Sequence, residues 1–140
     1  MANVYSGGTY IFVNAKAGNC LDLSGGDNFS IIGYDNHGGD NQKWRLESDG
    51  SGWHIQNVGT GKYLAVDGFA GDGTPVIARD EPFTWDIWPD EEDGNLNRIF
   101  VPNTRQNIDL SDHGNPTPGQ PITLWDKWEG RNQCWHFQEA

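Results

Sequence analysis

Four histidines, two cysteines and 20 carboxylates are the side chains in this 140-residue chain that could bind a metal or catalyse a reaction. The densest mixture is Asp109, Ser111, Asp112 and His113, which has the residue types of a nucleophile, a base and an orienting acid. Contiguous neighbours on one strand and turn cannot take up the relay geometry that nucleophilic catalysis needs. His37, His54, His113 and His136 are scattered and lack metal-ligand spacing. The acidic stretch from Asp80 to Asp93 does not match the spaced oxygen ligands of a calcium loop and reads as solvated. Cys20 and Cys134 form no CxxC pair, so free thiols are expected rather than a disulfide framework or a zinc knuckle. Asn28-Phe29-Ser30 is a glycosylation sequon on paper only, if the chain is not secreted. No catalytic residue, metal or cofactor is therefore expected.

The balance of charge narrows the partners. With 9 Lys+Arg against 20 Asp+Glu the net charge is −11, and no basic cluster offers a footprint for nucleic acid or anionic lipid. No run approaches a membrane span, and Met1 to Gly8 has no basic stretch followed by an apolar one. These features predict a cytoplasmic protein with no membrane insertion.

Any candidate site must be positioned by the elements around it, and those repeat. Asn41-Gln42-Lys43-Trp44, Trp85-Asp86-Ile87-Trp88 and Asn132-Gln133-Cys134-Trp135 place a polar residue two positions before a Trp, with the Trp residues 44 and 47 positions apart. Three units of about 45 residues follow, approximately 7–50, 51–94 and 95–140, in one domain spanning 1–140. Tyr10-Ile11-Phe12, Trp53-His54-Ile55 and Ile99-Phe100-Val101 open the units. Next come Cys20-Leu21-Asp22-Leu23, Tyr63-Leu64-Ala65-Val66 and Asn107-Ile108-Asp109-Leu110. The third set is Ser30-Ile31-Ile32, Pro75-Val76-Ile77 and Pro121-Ile122-Thr123. Period-two alternation between Gly, Asn and Asp turns predicts four strands per unit. Asp49-Gly50 and Asp93-Gly94 suit tight connections. Propellers need four or more blades, so three units of four strands predict an all-β fold, a β-trefoil. Trp44, Trp88 and Trp135 are expected in its core, with Gln42 and Gln133 satisfying backbone groups in the turns before them. In that arrangement Asp22 and Asp109 stand apart across the threefold axis, whereas a glycosidase needs its carboxylates about 5 to 9.5 Å apart.

The repeated Gln-x-Trp motifs, the Cys-Leu-Asp-Leu stretch and Gln120-Pro121-Ile122-Thr123-Leu124-Trp125 resemble the ricin-B-type lectins, over nearly the whole chain. With no leader expected, the chain resembles the cytoplasmic lectins of mushrooms more than the secreted plant toxins. In secreted relatives a second Cys pairs with that of the Cys-Leu-Asp stretch. Here Asn36 and Lys127 occupy those positions, which agrees with a reducing compartment.

The resemblance implies a non-enzymatic, carbohydrate-binding protein whose partners are glycans or glycoproteins, as a monomer or homodimer. It implies sites made of Asp22, Tyr34 and Asn41 in the first unit and Asp109, Trp125 and Asn132 in the third, supported by Gln42, Trp44, Gln133 and Trp135. In the middle unit Ala65 replaces the Asp, Ala78 or Arg79 the aromatic after a one-residue deletion, and Trp85 the Asn, so no site is expected there. The chemistry suits a pyranose. An aromatic plate covers its C–H face, an ionised Asp accepts from hydroxyls in charge-assisted hydrogen bonds, and an Asn amide offers both donor and acceptor. Ile32 and Thr123 stand where relatives often have Gln, so the preferred sugar stays open among galactose, N-acetylgalactosamine and mannose. A competing reading is an inhibitory or accessory trefoil, similar to a tyrosinase light subunit, contacting a partner through Gly68 to Pro75 or Gly114 to Pro121.

Overall fold

The computed structural model describes residues 4–140; Met1 to Asn3, part of the segment read for a leader, lie outside them. Twelve strands fall into three groups of four. The first holds β1 (Thr9–Asn14), β2 (Cys20–Leu23), β3 (Ile31–Tyr34) and β4 (Trp44–Ser48). The second holds β5 (Trp53–Asn57), β6 (Tyr63–Val66), β7 (Val76–Arg79) and β8 (Asp86–Pro89). The third holds β9 (Asn97–Phe100), β10 (Gln106–Leu110), β11 (Gln120–Asp126) and β12 (Trp135–Glu139).

The first and last strand of each group build a barrel. β1 pairs with β12 and β4, β4 with β5, β8 with β9, and β9 with β12. The ring closes between β5 and β8, where Trp53 and Trp85 exchange two backbone hydrogen bonds of 2.8 Å. Closure leaves the barrel no free edge. The hairpins β2–β3, β6–β7 and β10–β11 cap one end. They meet through β3–β11 pairing and the bridges Ser30–Ile77 and Pro75–Thr123. The protein is a β-trefoil.

Its core is threefold as well. Phe12, Ile55 and Ile99 are fully buried, one from each group, as are Leu21, Leu64 and Ile108. Each indole N–H of the core Trp residues donates to one of the latter carbonyls: Trp44 to Leu21, Trp85 to Leu64 and Trp135 to Ile108. This corrects the sequence expectation for the middle unit. Trp85 is 0% exposed whereas Trp88 is 58% exposed, so the repeat Trp residues are 41 and 50 positions apart. The Trp85-x-x-Trp88 spacing hid this, because either indole fits a period near 45. The opening of the third unit shifts too: pairing aligns Asn97-Arg98-Ile99, not Ile99-Phe100-Val101, with Tyr10-Ile11-Phe12.

The connections also differ. Gly50, at a φ of +92°, sits in the four-residue link between β4 and β5, while Gly94 lies in a longer loop held by Asp90. Cys20 and Cys134 are free and buried. Burial pushes their thiols up to about 12 and about 11, Asp22 and Asp35 adding to it at Cys20. No helix among the described residues is long and apolar enough to cross a membrane.

Candidate functional site

In the first unit, β2–β3 pairing sets Asp22 opposite Ile32 and ends β3 at Tyr34. The chain then turns back and enters β4 through a 3-10 turn, Asp40–Gln42. That turn presents Asn41 outward and Gln42 inward. Gln42 Nε2 donates to Asp22 Oδ2 and to the Asp35 carbonyl, both at 2.8 Å, while its Oε1 accepts from the His37 amide at 3.1 Å. One buried amide thus holds the returning loop against the carboxylate. Asn41 Nδ2 donates to the Leu23 carbonyl at 3.1 Å. Tyr34 is 40% exposed, and His37 Nε2 lies 3.8 Å from Asp22 Oδ2.

The third unit repeats this frame. Gln133, in the 3-10 turn Arg131–Gln133, donates to Asp109 Oδ2 at 2.9 Å and to the Asp126 carbonyl at 3.0 Å, and accepts from the Trp128 amide at 3.1 Å. Asn132 Nδ2 donates to the Leu110 carbonyl at 3.1 Å. Its Oδ1 is buried and has no hydrogen-bond partner, a state that costs about 1–3 kcal/mol unless a ligand supplies a donor. Asp109, Asn132, Thr123, Trp125 and Trp128 line a cleft of about 470 Å³, with Gly73 of the β6–β7 loop on its far side. Trp125 and Trp128 are 44% and 43% exposed. Asp112, His113 and Gly114 all have positive φ (54°, 54° and 80°) and bring the His113 ring edge-on to Trp128.

Arg98 distinguishes the third frame from the first. This buried guanidinium donates to Gln133 Oε1, Asp90 Oδ1 and the Trp128 carbonyl, each at 2.8 Å. Burial alone would raise Asp90, but the Arg98 hydrogen bond and charge, with the Asp93 and Glu92 amides, hold its carboxyl below the ordinary value.

Asp22 and Asp109 are shifted the other way. Burial raises both, more than offsetting Gln42, His37 and Asn41 at the first and Gln133, Asn132, His113 and Trp128 at the second. Each carboxylate accepts from a Gln of a distant turn rather than from the backbone of its own turn. Each Asn amide donates one of its two N–H groups to a backbone carbonyl and also helps to lower the neighbouring Asp carboxyl, so its orientation is fixed while it keeps both donor and acceptor character.

The middle unit is built differently from the outset. Pairing puts Ala65 at the Asp position and Arg79 at the aromatic position. Only six positions separate Arg79 from Trp85, against ten between Tyr34 and Trp44 or Trp125 and Trp135. The deletion is therefore four residues, not one. Pro82, not Trp85, falls at the Asn position and Phe83 at the Gln position, and the Arg79 guanidinium lies 5.5 Å from the Phe83 ring, filling the place of the frame.

A second set of residues was missed in the sequence. Asn57 Nδ2 donates to the Asn41 carbonyl and Asn14 Nδ2 to the Asn132 carbonyl, both at 3.0 Å. Each buried Asn belongs to the following unit around the ring and braces the turn of the one before. At the equivalent position beside Trp85, where no frame needs bracing, stands Val101. The signal was present as Asn14-x-x-x-Gly18 and Asn57-x-x-x-Gly61, against Val101-x-x-x-Arg105. Among the described residues no group of three His, Cys, Asp or Glu could hold a metal ion.

Comparison with known proteins agrees with this architecture. The family model for ricin-type β-trefoil lectin domain-like proteins matches residues 3–79 and 40–125. The ricin B-like lectin of Macrolepiota procera, solved in complex with lactose, is 47% identical over 99% of this chain and 100% of that chain, with a TM-score of 0.98. The Rhizoctonia solani agglutinin is 28% identical over 100% of both chains, with a TM-score of 0.86. A designed threefold-symmetric protein, 23% identical over 94% of this chain and 99% of that one, shares the fold with a TM-score of 0.86. No curated protein matched the sequence. With the family model spanning most of its length, the chain belongs to the ricin-type β-trefoil lectin-like family.

Proposed function

We propose that this protein is a non-catalytic lectin that binds glycans through two shallow sites, Asp22–Tyr34–Asn41 and Asp109–Trp125–Asn132. The observation that carries the reading is the frame built twice: a carboxylate fixed by a Gln from another turn and left open beside a half-exposed aromatic ring. In this reading the ring covers the apolar face of a pyranose, and the free carboxylate oxygen and the Asn Oδ1 accept from its hydroxyls. The 47% identical relative crystallised with lactose favours a galactoside, with N-acetylgalactosamine- and mannose-containing glycans as the alternatives. One plate and a few hydrogen bonds give dissociation constants of about 0.1–1 mM, or about 4 to 5.5 kcal/mol, so useful avidity comes from both sites together. One observation favours a loop-mediated accessory role instead: Phe69, in the β6–β7 loop, is 97% exposed.

A glycan array followed by calorimetry tests the proposal. Binding is expected, with Asp22→Ala and Asp109→Ala each removing one of two sites. A protein that binds no glycan at millimolar concentration overturns the lectin reading. Binding that survives both substitutions overturns the site assignment.

A further inference from the structure

Trp88 was expected in the core and is instead one of the most exposed large apolar residues in the molecule. The pseudo-threefold symmetry supplies its control. Strand pairing places Asp86, Trp88 and Phe100 on the outer barrel face at the positions held by Arg45, Glu47 and Gln56 one unit back and by His136, Gln138 and Val13 one unit on. Two units thus present ordinary half-polar strand surface there. Only the β8–β9 pair, which joins the middle unit to the third, presents an indole and a phenyl ring beside a carboxylate.

These residues form a concavity. Asp86, Trp88 and Phe100 line a cleft of about 570 Å³, closed by Asn103, Thr104 and Arg105 of the β9–β10 turn. On its other side Trp88, again with Asp86, borders a smaller cleft reaching Trp53 and Gly52. Among the described residues neither the Asp86 carboxylate nor the Asn103 amide has a side-chain hydrogen bond or ion pair. Thr104 Oγ1 and Arg105 are engaged, the first with the Val101 carbonyl and the second with Asp126 and the Lys127 carbonyl. The open features are therefore an aromatic plate, a carboxylate acceptor and an amide, with a guanidinium at the rim.

We infer that the Trp88 cleft is a further glycan-binding site, one that takes a neutral pyranose against the outer wall of the barrel. A cation would meet Arg105, and an anion would meet Asp86 in a protein of net charge −11. A neutral polyol suits both: its C–H face lies on Trp88 while vicinal hydroxyls donate to Asp86 and meet Asn103. The site extends the lectin reading above but shares no residue with the two hairpin clefts. It gives the middle unit, which lost its hairpin frame, a contact of its own and makes three contacts available to a branched glycan or a glycosylated surface.

The test is residue-resolved NMR of the intact protein titrated with lactose, N-acetylgalactosamine and mannose, together with the exposed-site variant Trp88→Ala. The expected result is a shift of the Trp88 indole N–H and of Phe100 with its own isotherm, at a Kd on the order of 1–10 mM. That response should persist in the Asp22→Ala/Asp109→Ala double variant, and its Phe100 part should disappear in Trp88→Ala, while Tyr34 and Trp125 still respond. Trp88 signals unmoved by all three sugars, with Tyr34 and Trp125 responding, overturn this site and leave the lectin reading standing. Silence at every aromatic overturns both. A Trp88→Ala substitution that turns a dimer into a monomer in sedimentation, with no sugar response at Trp88, assigns the surface to self-association and also overturns the proposal.

Discussion

Asp22 and Asp109 are each left with one oxygen to offer, because the other accepts from a buried Gln. Burial is the main influence on both carboxyls and raises them above the ordinary aspartate value. If hydroxyl recognition needs the ionised form, affinity is flat near neutrality and falls as pH drops through this raised range, before an exposed Asp would titrate. The fold follows the opposite sign at the same groups. A carboxyl raised in the native state adds stability as pH falls through its folded value, while the depressed Asp90 loses stability only at lower pH, through its own folded value. Calorimetric titration with lactose across mildly acid pH, run beside circular dichroism, is expected to show binding lost while the fold persists. Loss of both in one step contradicts this. At the residue scale the Asp, aromatic and Asn types were legible in the sequence, but not their hydrogen bonds. Only the packed turn reveals that Asn41 and Asn132 each give one N–H to a backbone carbonyl and that Asn132 keeps a buried acceptor without a partner.

The working element is a hairpin plus the 3-10 turn that follows it, and neither is complete within its own unit. Asn57 braces the first turn and Asn14 the third, each from the next unit around the ring. Asn57→Ala is therefore expected to weaken the Tyr34 site and spare the Trp125 site, and Asn14→Ala to do the reverse. The cost of each is about 1–3 kcal/mol, because a turn carbonyl is left unpaired. Site-resolved titration of Tyr34 and Trp125 signals measures it, and equal loss at both sites would show general destabilisation instead. Strand existence was legible from period-two alternation over stretches such as Cys20-Leu21-Asp22-Leu23. What the brace reaches was not, since Asn14 and Asn132 are 118 positions apart in sequence: the Asn-x-x-x-Gly spacing marks the bracing residue but not the turn it holds. Arg98 was hidden for the same reason: a lone cation in strand β9 reads as surface until Asp90, Gln133 and the Trp128 carbonyl close over it.

Across the whole molecule, the threefold pattern decides which indole carries stability. Trp85 fills the barrel and bonds the Leu64 carbonyl, so Trp85→Ala is expected to cost about 3–5 kcal/mol. Trp88→Ala, on the outer face, should change stability by no more than about 0.5 kcal/mol. Chemical denaturation of the two variants checks this, and the opposite ranking would restore Trp88 to the core. The amino-acid sequence by itself determined three units, four strands in each, the trefoil they close into, and the two units that kept an Asp, an aromatic and an Asn in register. The units, strands and trefoil follow from periodicity and composition, which every residue reports locally, whereas the Asp, aromatic and Asn sets follow from the resemblance to the ricin-B-type lectins. Only the tertiary structure decided which of two neighbouring Trp residues the middle unit buries, how short its loop is, and which polar groups remain free. The physical reason is that burial and hydrogen-bond satisfaction belong to the closed barrel: Trp85 and Trp88 are chemically identical, and only the position of each against Trp53, Leu64 and Phe100 separates a core side chain from a surface plate.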